Sequence, residues 1–480
     1  MDHHDKNEEA PSVVVVVVPL PAQGHLNQLL HFSRLVSERQ IPVHYVGSAT
    51  HNRQVKHRVQ GWDPSIISNI HFHDFPLPSF PTPPPDPNAS HKCPTHLLPT
   101  FEAALNLRKP LAELLHSLSL TARRVVVVHD SLMCFAAKEA SSLPNGEAYS
   151  FYSCSAFFVL FSQWEPLGRP SNPGIESLNE DLIHLSFKDC FTYDFANFIA
   201  RHKQSSEFDV GKLYNTCPPI EGKFIDLLAE EPFLDRNQRQ WAFGPLNPIV
   251  VSESDSLRGK SSLVLQRHKC LEWLDKQPLD SVLYVSFGTM TSISDEQIRE
   301  IAIGLEQSEQ RFIWVLRDAD RGDLYANQDD VRRIELPEGY EERVKGVGMI
   351  VRDWAPQLQI LAHASTGGFL SHCGWNSCME SLSMGVPIAA WPMHSDQPWN
   401  TLLVTKVLRV GVVVREWKNR GEIASSVMIE NAVRKLMVSE DGKDMRKRGK
   451  ELGIAVRQVV SKDGTSTAEL DSFLTHISRS

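Results

Sequence analysis

The run VVVVVV at Val13–Val18 constrains this chain more than any other feature. Six consecutive β-branched residues favour extended backbone. They do not alternate with polar residues, so both faces of the strand must be covered, as in the interior of a parallel sheet. A turn, PLPAQGH, follows, and leucines at Leu26, Leu29, Leu30 and Leu35 then keep helical spacing, which predicts a helix from about Leu26. IPVHYVG and NIHFH read as strands with a polar helical stretch between them. The segment Pro76–Pro87 (PLPSFPTPPPDP) excludes helix and central strand, and reads as a surface loop or as a rim over a pocket. A helix is expected over His96–Leu118, then a strand, RVVVVHD, ending at Asp130. Strand and helix in this alternation predict a doubly wound parallel sheet.

The pattern then restarts. Gly244–Ser262 is polar and turn-rich. After it come SVLYVSFGT, a helix over Asp295–Gln307, the strand RFIWVL, a loop over Arg317–Leu336, and three further strands in VGMIV, TGGFLSH and VPIAA. A chain of 480 residues exceeds a single ordinary core. The expectation is therefore an α/β protein of two Rossmann-like doubly wound domains facing a cleft. The N-terminal domain spans residues 1–246, with 1–11 a disordered tail. A linker covers 247–264, and the C-terminal domain covers 265–460. A last helix, in 461–480 and centred on Ser466–Ile477, packs back on the first domain. Ligands of open α/β sheets sit beyond the carboxyl ends of the strands, so the cleft is where chemistry is expected.

Charge and composition remove several classes. The formal net charge of −9 argues against a nucleic-acid partner. No stretch reaches the roughly 18 apolar residues of a membrane span, and the acidic start MDHHDKNEEA is neither a signal nor a transit peptide. A cytoplasmic protein is expected. The eight cysteines include no C-x-x-C pair and read as reduced thiols. His372, Cys373 and Cys378 lack the spacing of a zinc site. Asp318-Ala-Asp320 repeats the D-x-D pattern that holds manganese in other transferases, but it lies within the charged stretch RDADRGD. No metal is expected.

Trp354–Gln397 is the chemically dense part of the chain (WAPQLQILAHASTGGFLSHCGWNSCMESLSMGVPIAAWPMHSDQ). TGGFLSH ends a strand, and CGWNSCMESLSMG supplies the following loop and helix. His372, Gly374, Trp375, Asn376 and Ser377 thus fall at a helix N-terminus, where free N–H groups and the helix dipole attract an anion. Gly374 lets the backbone come close, and His372 adds a donor, or a cation if protonated. Glu380, one turn on, can accept two ribose hydroxyls. Trp354 can stack on a flat base, and Asp396 and Gln397, at another strand end, can bind sugar hydroxyls.

These residues resemble the signature box of plant UDP-glycosyltransferases, with W-A-P-Q at its start, H-C-G-W-N-S-x-x-E in its middle and D-Q at its end. PLPAQGHLNQLL, CLEWLDKQP and YVSFGT extend the resemblance over essentially the whole chain. Within the family it is most similar to the zeatin O-glycosyltransferase branch, which also holds flavonoid-type O-glucosyltransferases. The resemblance implies the GT-B fold, with the sugar donor on the C-terminal domain and the acceptor on the N-terminal one. It implies that Trp354 stacks on uracil, that the backbone at Ala355 and Gln357 pairs with it, and that Glu380 holds the ribose. Thr289, His372, Gly374, Asn376 and Ser377 would hold the pyrophosphate, and Trp375, Asp396 and Gln397 the sugar. Gln397 favours UDP-glucose, although the branch includes xylose users. UDP-glucose would be a co-substrate, with no cofactor and no metal.

Transfer to a hydroxyl needs a base, because an alcohol or phenol is a weak nucleophile at neutral pH. A histidine is suited to it. His25 follows the first strand at the cleft edge and matches the family's catalytic position, and Asp130 matches its partner. His129 is expected to point to the opposite face. In-line attack on an α-linked donor gives a β-glucoside. The acceptor would be a small lipophilic metabolite, a cytokinin such as zeatin or a flavonoid or isoflavonoid phenol. It would lie against Gln23, Phe80, Leu97, Phe151 and Phe157, with Phe158 nearby. Small molecules are the only partners expected, and the chain is expected to act as a monomer. A non-catalytic UDP-sugar-binding protein would be expected to lack His25 or Asp130. A nicotinamide enzyme would carry G-x-G-x-x-G after the first strand of a domain, and neither domain does.

Overall fold

The computed structural model describes residues 13–59, 62–168, 178–183, 185–202, 207–230, 232–233, 237–249, 267–322 and 332–479. The expected tail 1–11 and most of the expected linker 247–264 lie outside the described residues, as does part of the loop Arg317–Leu336.

The chain forms two parallel sheets. The first holds β1 (Val13–Val18), β2 (Val43–Ser48), β3 (Ile70–Phe75), β4 (Arg124–Asp130), β5 (Gly146–Tyr152), β6 (Asp209–Tyr214) and β7 (Arg239–Ala242), in the order β3-β2-β1-β4-β5-β6-β7. The second holds β8 (Val282–Ser286), β9 (Arg311–Val315), β10 (Gly348–Val351), β11 (Thr366–Ser371), β12 (Ile388–Ala390) and β13 (Gly411–Val413), in the order β10-β9-β8-β11-β12-β13. Both orders step outward from a first strand and then reverse, which is the doubly wound arrangement. Each sheet has its switch point at its centre, between β1 and β4 and between β8 and β11.

The valine run behaves as its composition demands. β1 lies between β2 and β4, with Val15 opposite Val43 and Val17 opposite Val128. Val14, Val16 and Val18 enter a core with Leu107, Leu111 and Leu115, while Val13, Val15 and Val17 enter another with Leu26, Leu29 and Phe32. Each such side chain contributes about 1.5–3 kcal/mol on leaving water. A polar residue anywhere in the run would therefore face an apolar layer, whichever side it took. β8 is covered in the same way, with Leu283 and Val285 on one face and Val282 and Tyr284 on the other.

Two helical expectations change. The helix after β1 begins at Gln23, not Leu26. Apolar spacing marks only the buried face, and the first turn, Gln23-Gly24-His25, faces the cleft and so carries no leucine. The expected helix His96–Leu118 is segmented into Thr95–Leu97, Leu98–Ala103, Ala104–Leu107 and Arg108–Ser119. Pro99 and Pro110 cannot donate to the carbonyls of Thr95 and Asn106, so the ladder tightens into 3₁₀ turns beside them.

The last helix, Thr465–Ser478, lies on the first sheet. Leu470, Phe473, Leu474 and Ile477 join the core that holds Val13, Val15 and Val17. Ser466 donates to the Gly244 carbonyl at 2.7 Å, and Arg123 donates to the Ser478 carbonyl at 2.9 Å. All eight cysteines are unpaired. Among the described residues, no helix is long and apolar enough to cross a membrane.

Candidate active site

The carboxyl edges of the two sheets face one cavity of about 1570 Å³. Its wall takes residues from the ends of β1, β4 and β5 on one side and of β8, β11 and β12 on the other. Both switch points therefore open into the same space.

On the first side stands a His–Asp pair. His25, in the first turn after β1, places Nδ1 2.6 Å from Oδ2 of Asp130, the last residue of β4. Asp130 is fully buried. Its Oδ2 also accepts from the Ser153 hydroxyl at 2.8 Å, and its Oδ1 accepts from the Leu132 N–H at 3.0 Å. These fixed donors orient the carboxylate, which holds the proton on Nδ1 and leaves Nε2 as the free base. Burial pulls the imidazole pKa down, but the charge and hydrogen bond of Asp130 more than offset it, so His25 lies above its ordinary 6.5. Asp130 is pushed the other way: burial raises its carboxyl, and His25 and the hydrogen bonds bring it below its usual value. His129 points to the opposite face and bonds Asp209 at 2.7 Å.

On the second side the helix Trp375–Met384 begins beyond β11, and its free N–H end faces the cavity. His372 lies between two glycine-bearing loops. A Cβ on Gly288, whose φ is +75°, would fall 2.6 Å from His372 Nε2, and one on Gly374 would fall 2.5 Å from it. Neither position tolerates a side chain while the ring sits there. Burial pushes His372 down to about 4, which makes it a neutral hydrogen-bonding group rather than a cation. Its buried Nδ1 has no hydrogen-bond partner among the described residues. Glu380 accepts from Gln357 Nε2 at 2.8 Å, and Gln357 also donates to the Ser377 hydroxyl at 3.2 Å. Burial raises Glu380 to about 7 and Asp396 to about 6. Trp354 is 68% exposed at the mouth, an unusual state for a large indole.

Thr289, Trp354, Ala355, Gln357, His372, Gly374, Trp375, Asn376, Ser377, Glu380, Asp396 and Gln397 all line the cavity, as do His25 and Gln23. Three of them are occupied differently from the sequence expectation. The Trp375 indole donates to the Asn215 carbonyl at 2.9 Å, and the Asn376 amide donates to the Gly24 carbonyl at 2.8 Å. Both side chains tie the second half of the chain to the first. Gln397 is buried, and its Oε1 accepts from the N–H groups of Met393 at 2.9 Å and His394 at 3.1 Å. Its amide nitrogen lies 3.3 Å from Nε2 of His394.

The acceptor side needs more correction. Phe80, Leu97, Phe151 and Phe157 are not on the cavity wall. Phe151 points to the far face of β5, against Phe32. Phe157 packs on Phe161 and Phe224. Leu97 is buried in the same core as Phe157. Its neighbour Phe158 reaches the wall instead, with Phe101, Phe187, Phe191 and Phe195. Phe187, Phe191 and Phe195 recur every four residues. Phe187 lies in the helix Phe187–Cys190 and Phe195 in the helix Tyr193–His202, with Phe191 in the extended link between them. Ser153, which steadies Asp130, and Arg58, at the mouth, carry no sequence signal of their own.

Asp318 accepts from the Ser292 hydroxyl and lies 3.7 Å from Arg332, while Asp320 pairs with Arg317. Both D-x-D carboxylates are thus engaged within the protein. Among the described residues, no group of three or more His, Cys, Asp and Glu is placed to hold a metal ion.

Comparison with known proteins agrees with this geometry. Residues 11–248 match the family profile "Glycosyltransferase, N-terminal domain", and residues 266–446 match "UDP-glucoronosyl and UDP-glucosyl transferase". The chain is 49% identical to zeatin O-glucosyltransferase of Phaseolus lunatus, over 97% of each chain. It is 47% identical to zeatin O-xylosyltransferase of Phaseolus vulgaris, over 98% of this chain and 99% of that one. In structure it is similar to a UGT transferase of Siraitia grosvenorii in complex with UDP, with a TM-score of 0.75 and 28% identity over 97% of this chain and 100% of that one. A chain with two facing doubly wound sheets, this cavity and these relatives belongs to the UDP-glucoronosyl and UDP-glucosyl transferase family, and is a UDP-glycosyltransferase of the GT-B fold.

Proposed function

We propose that the enzyme transfers glucose from UDP-glucose to a hydroxyl of zeatin or a closely similar cytokinin, with inversion, to give a β-O-glucoside. The observation that carries this is the His25–Asp130 pair at 2.6 Å, which faces the helix end at Trp375 across one cavity. Nε2 of His25 takes the hydroxyl proton as the acceptor oxygen bonds to the anomeric carbon. The bond from that carbon to the phosphate oxygen breaks, and UDP leaves with the electron pair. Attack comes from the face opposite UDP, so an α-linked donor yields a β-product. The helix N-terminus, His372, Ser377 and Thr289 hold the diphosphate, Glu380 the ribose and Trp354 the uracil. Asp396 and the Gln397 amide meet the sugar. The engaged D-x-D carboxylates support a reaction that uses no metal.

The cytokinin reading is supported by the names of the relatives and by the aromatic wall, which suits a flat, lipophilic molecule. The second reading is UDP-xylose as donor, favoured by the 47% identity to a zeatin O-xylosyltransferase. A flavonoid or isoflavonoid phenol is the alternative acceptor. We place acceptor binding in residues 1–246 and donor binding in 265–460, and we place the enzyme in the cytoplasm as a monomer. The test is a competition: purified protein with UDP-glucose and an equimolar mixture of trans-zeatin, cis-zeatin, flavonols and isoflavones, read by mass spectrometry. A dominant zeatin hexoside is expected. A dominant phenolic hexoside would overturn the acceptor. Pentosides formed faster from UDP-xylose than hexosides from UDP-glucose would overturn the donor.

A further inference from the structure

UDP carries at least two negative charges near neutral pH, and the second sheet meets them with little formal positive charge. Burial keeps His372 neutral. Among the described residues, three lysine or arginine side chains line the wall: Arg58, Lys212 and Arg317. Arg317 is paired with Asp320, and Lys212, on β6, donates to the Phe233 carbonyl at 2.7 Å. Arg58 is different. It ends the helix Ala49–Arg58 that follows β2, is exposed to solvent, and makes no ion pair among the described residues. Its guanidinium donates to Oε1 of Gln23, whose own amide donates to Gln54.

That position is close to the donor's expected seat. Gln23 precedes Gly24, and the Gly24 carbonyl accepts from Asn376, the second residue of the helix Trp375–Met384. Burial lowers the Arg58 guanidinium pKa, and the charges of Asp320 and Glu380 act against that. Asp320 donates its backbone N–H to the Thr289 carbonyl at 2.7 Å, so it marks the phosphate side, and Glu380 marks the ribose side. An arginine held only by a neutral amide oxygen gains on exchanging it for a phosphate oxygen, because charge-assisted hydrogen bonds are about twice as strong as neutral ones.

We infer that Arg58, carried by the first sheet, is a further donor-binding residue: its guanidinium leaves Gln23 for the diphosphate of the UDP-sugar and neutralises the charge on departing UDP. The inference rests on the reading that UDP sits at the helix Trp375–Met384. It makes the donor site a property of both halves of the chain, since the strongest cation on the diphosphate comes from the acceptor side.

The test compares UDP with uridine, which lacks phosphate, by calorimetric titration of the full-length enzyme and its Arg58→Ala and Arg58→Lys variants. Loss of a hydrogen bond to a charged group is expected to weaken UDP by about tenfold to hundredfold in Arg58→Ala, with uridine unchanged, and Arg58→Lys is expected to recover part of the loss. The salt dependence of UDP binding should also become shallower in Arg58→Ala. Equal losses for UDP and uridine, or no loss for either, would overturn the role of Arg58. Wild-type enzyme that fails to bind UDP would overturn the underlying donor site as well. Arg58→Gln, a neutral side chain of similar reach, repeats the comparison if Arg58→Ala unfolds.

Discussion

Replacing Asp130 by asparagine tests the catalytic reading most directly, because the change is nearly isosteric and its consequence follows from three hydrogen bonds. Oδ1 of Asp130 accepts from the backbone N–H of Leu132, which cannot turn away, so the amide oxygen of asparagine must stay there. The amide nitrogen then occupies the Oδ2 position and faces His25 Nδ1 and the Ser153 hydroxyl. A nitrogen donor at that point makes Nδ1 an acceptor and moves the ring proton to Nε2, the atom that must receive a proton from the acceptor. Loss of a general base costs about 10²–10⁴ in rate, or about 3–5 kcal/mol of barrier at 1.36 kcal/mol per tenfold. The assay is kcat at saturating acceptor, with UDP affinity measured separately and expected to be unchanged. The pH profile adds a second readout. A general base acts when deprotonated, and Asp130 holds His25 above 6.5, so wild-type activity rises with pH through an apparent pKa above that value. In Asp130→Asn the carboxylate that raises His25 is gone while burial remains, and the acid limb of the residual activity moves below 6.5. A kcat within about tenfold of wild type, or an acid limb that does not move, would refute the argument.

Three further outcomes are expected. His372→Ala weakens UDP by about tenfold to hundredfold, and by the same factor at pH 6 and pH 8, because a group held at about 4 is neutral at both; calorimetry at the two pH values checks this. Uridine affinity rises with pH through about 7 as Glu380 ionises and becomes a better acceptor for the ribose hydroxyls; a Glu380→Gln variant that keeps the same slope would refute that assignment. Phe158→Ala, which removes a half-buried ring from the acceptor wall, raises the acceptor KM about tenfold and leaves UDP affinity unchanged in steady-state and binding assays.

The proposed division of labour between the two sides predicts that activity and binding can be separated by mutation. The proposed base and its carboxylate follow β1 and end β4, and the helix proposed to hold the diphosphate follows β11. Trp375 and Asn376 join the two through backbone carbonyls of Asn215 and Gly24. A change at either contact alters the distance between base and donor without touching a reacting atom. Small misplacements of that kind are costly for an in-line displacement.

What could be read from the chain alone was whatever depends on local rules. The unbroken valine run specified a strand covered on both faces, and the alternation of strands and helices specified two doubly wound sheets. Strand ends and helix starts in open α/β sheets point the same way, so His25, Asp130 and the box Trp354–Gln397 fall at one cleft on sequence grounds alone. The acceptor wall could not. Phe157 and Phe158 are adjacent, equally apolar and on one helix, and a turn of about 100° decides which meets the cavity and which meets Phe161 and Phe224. Likewise, nothing in sequence spacing brings Ser153 to Asp130, Asn376 to Gly24 or Arg58 to the mouth of the donor site. Those contacts join residues 23 to 352 positions apart. Ser153 and Asp130, like Arg58 and Gln23, meet across neighbouring elements of the first sheet, whereas Asn376 reaches Gly24 only because the second sheet comes to rest against the first; in each case tertiary packing, not local sequence, makes the contact.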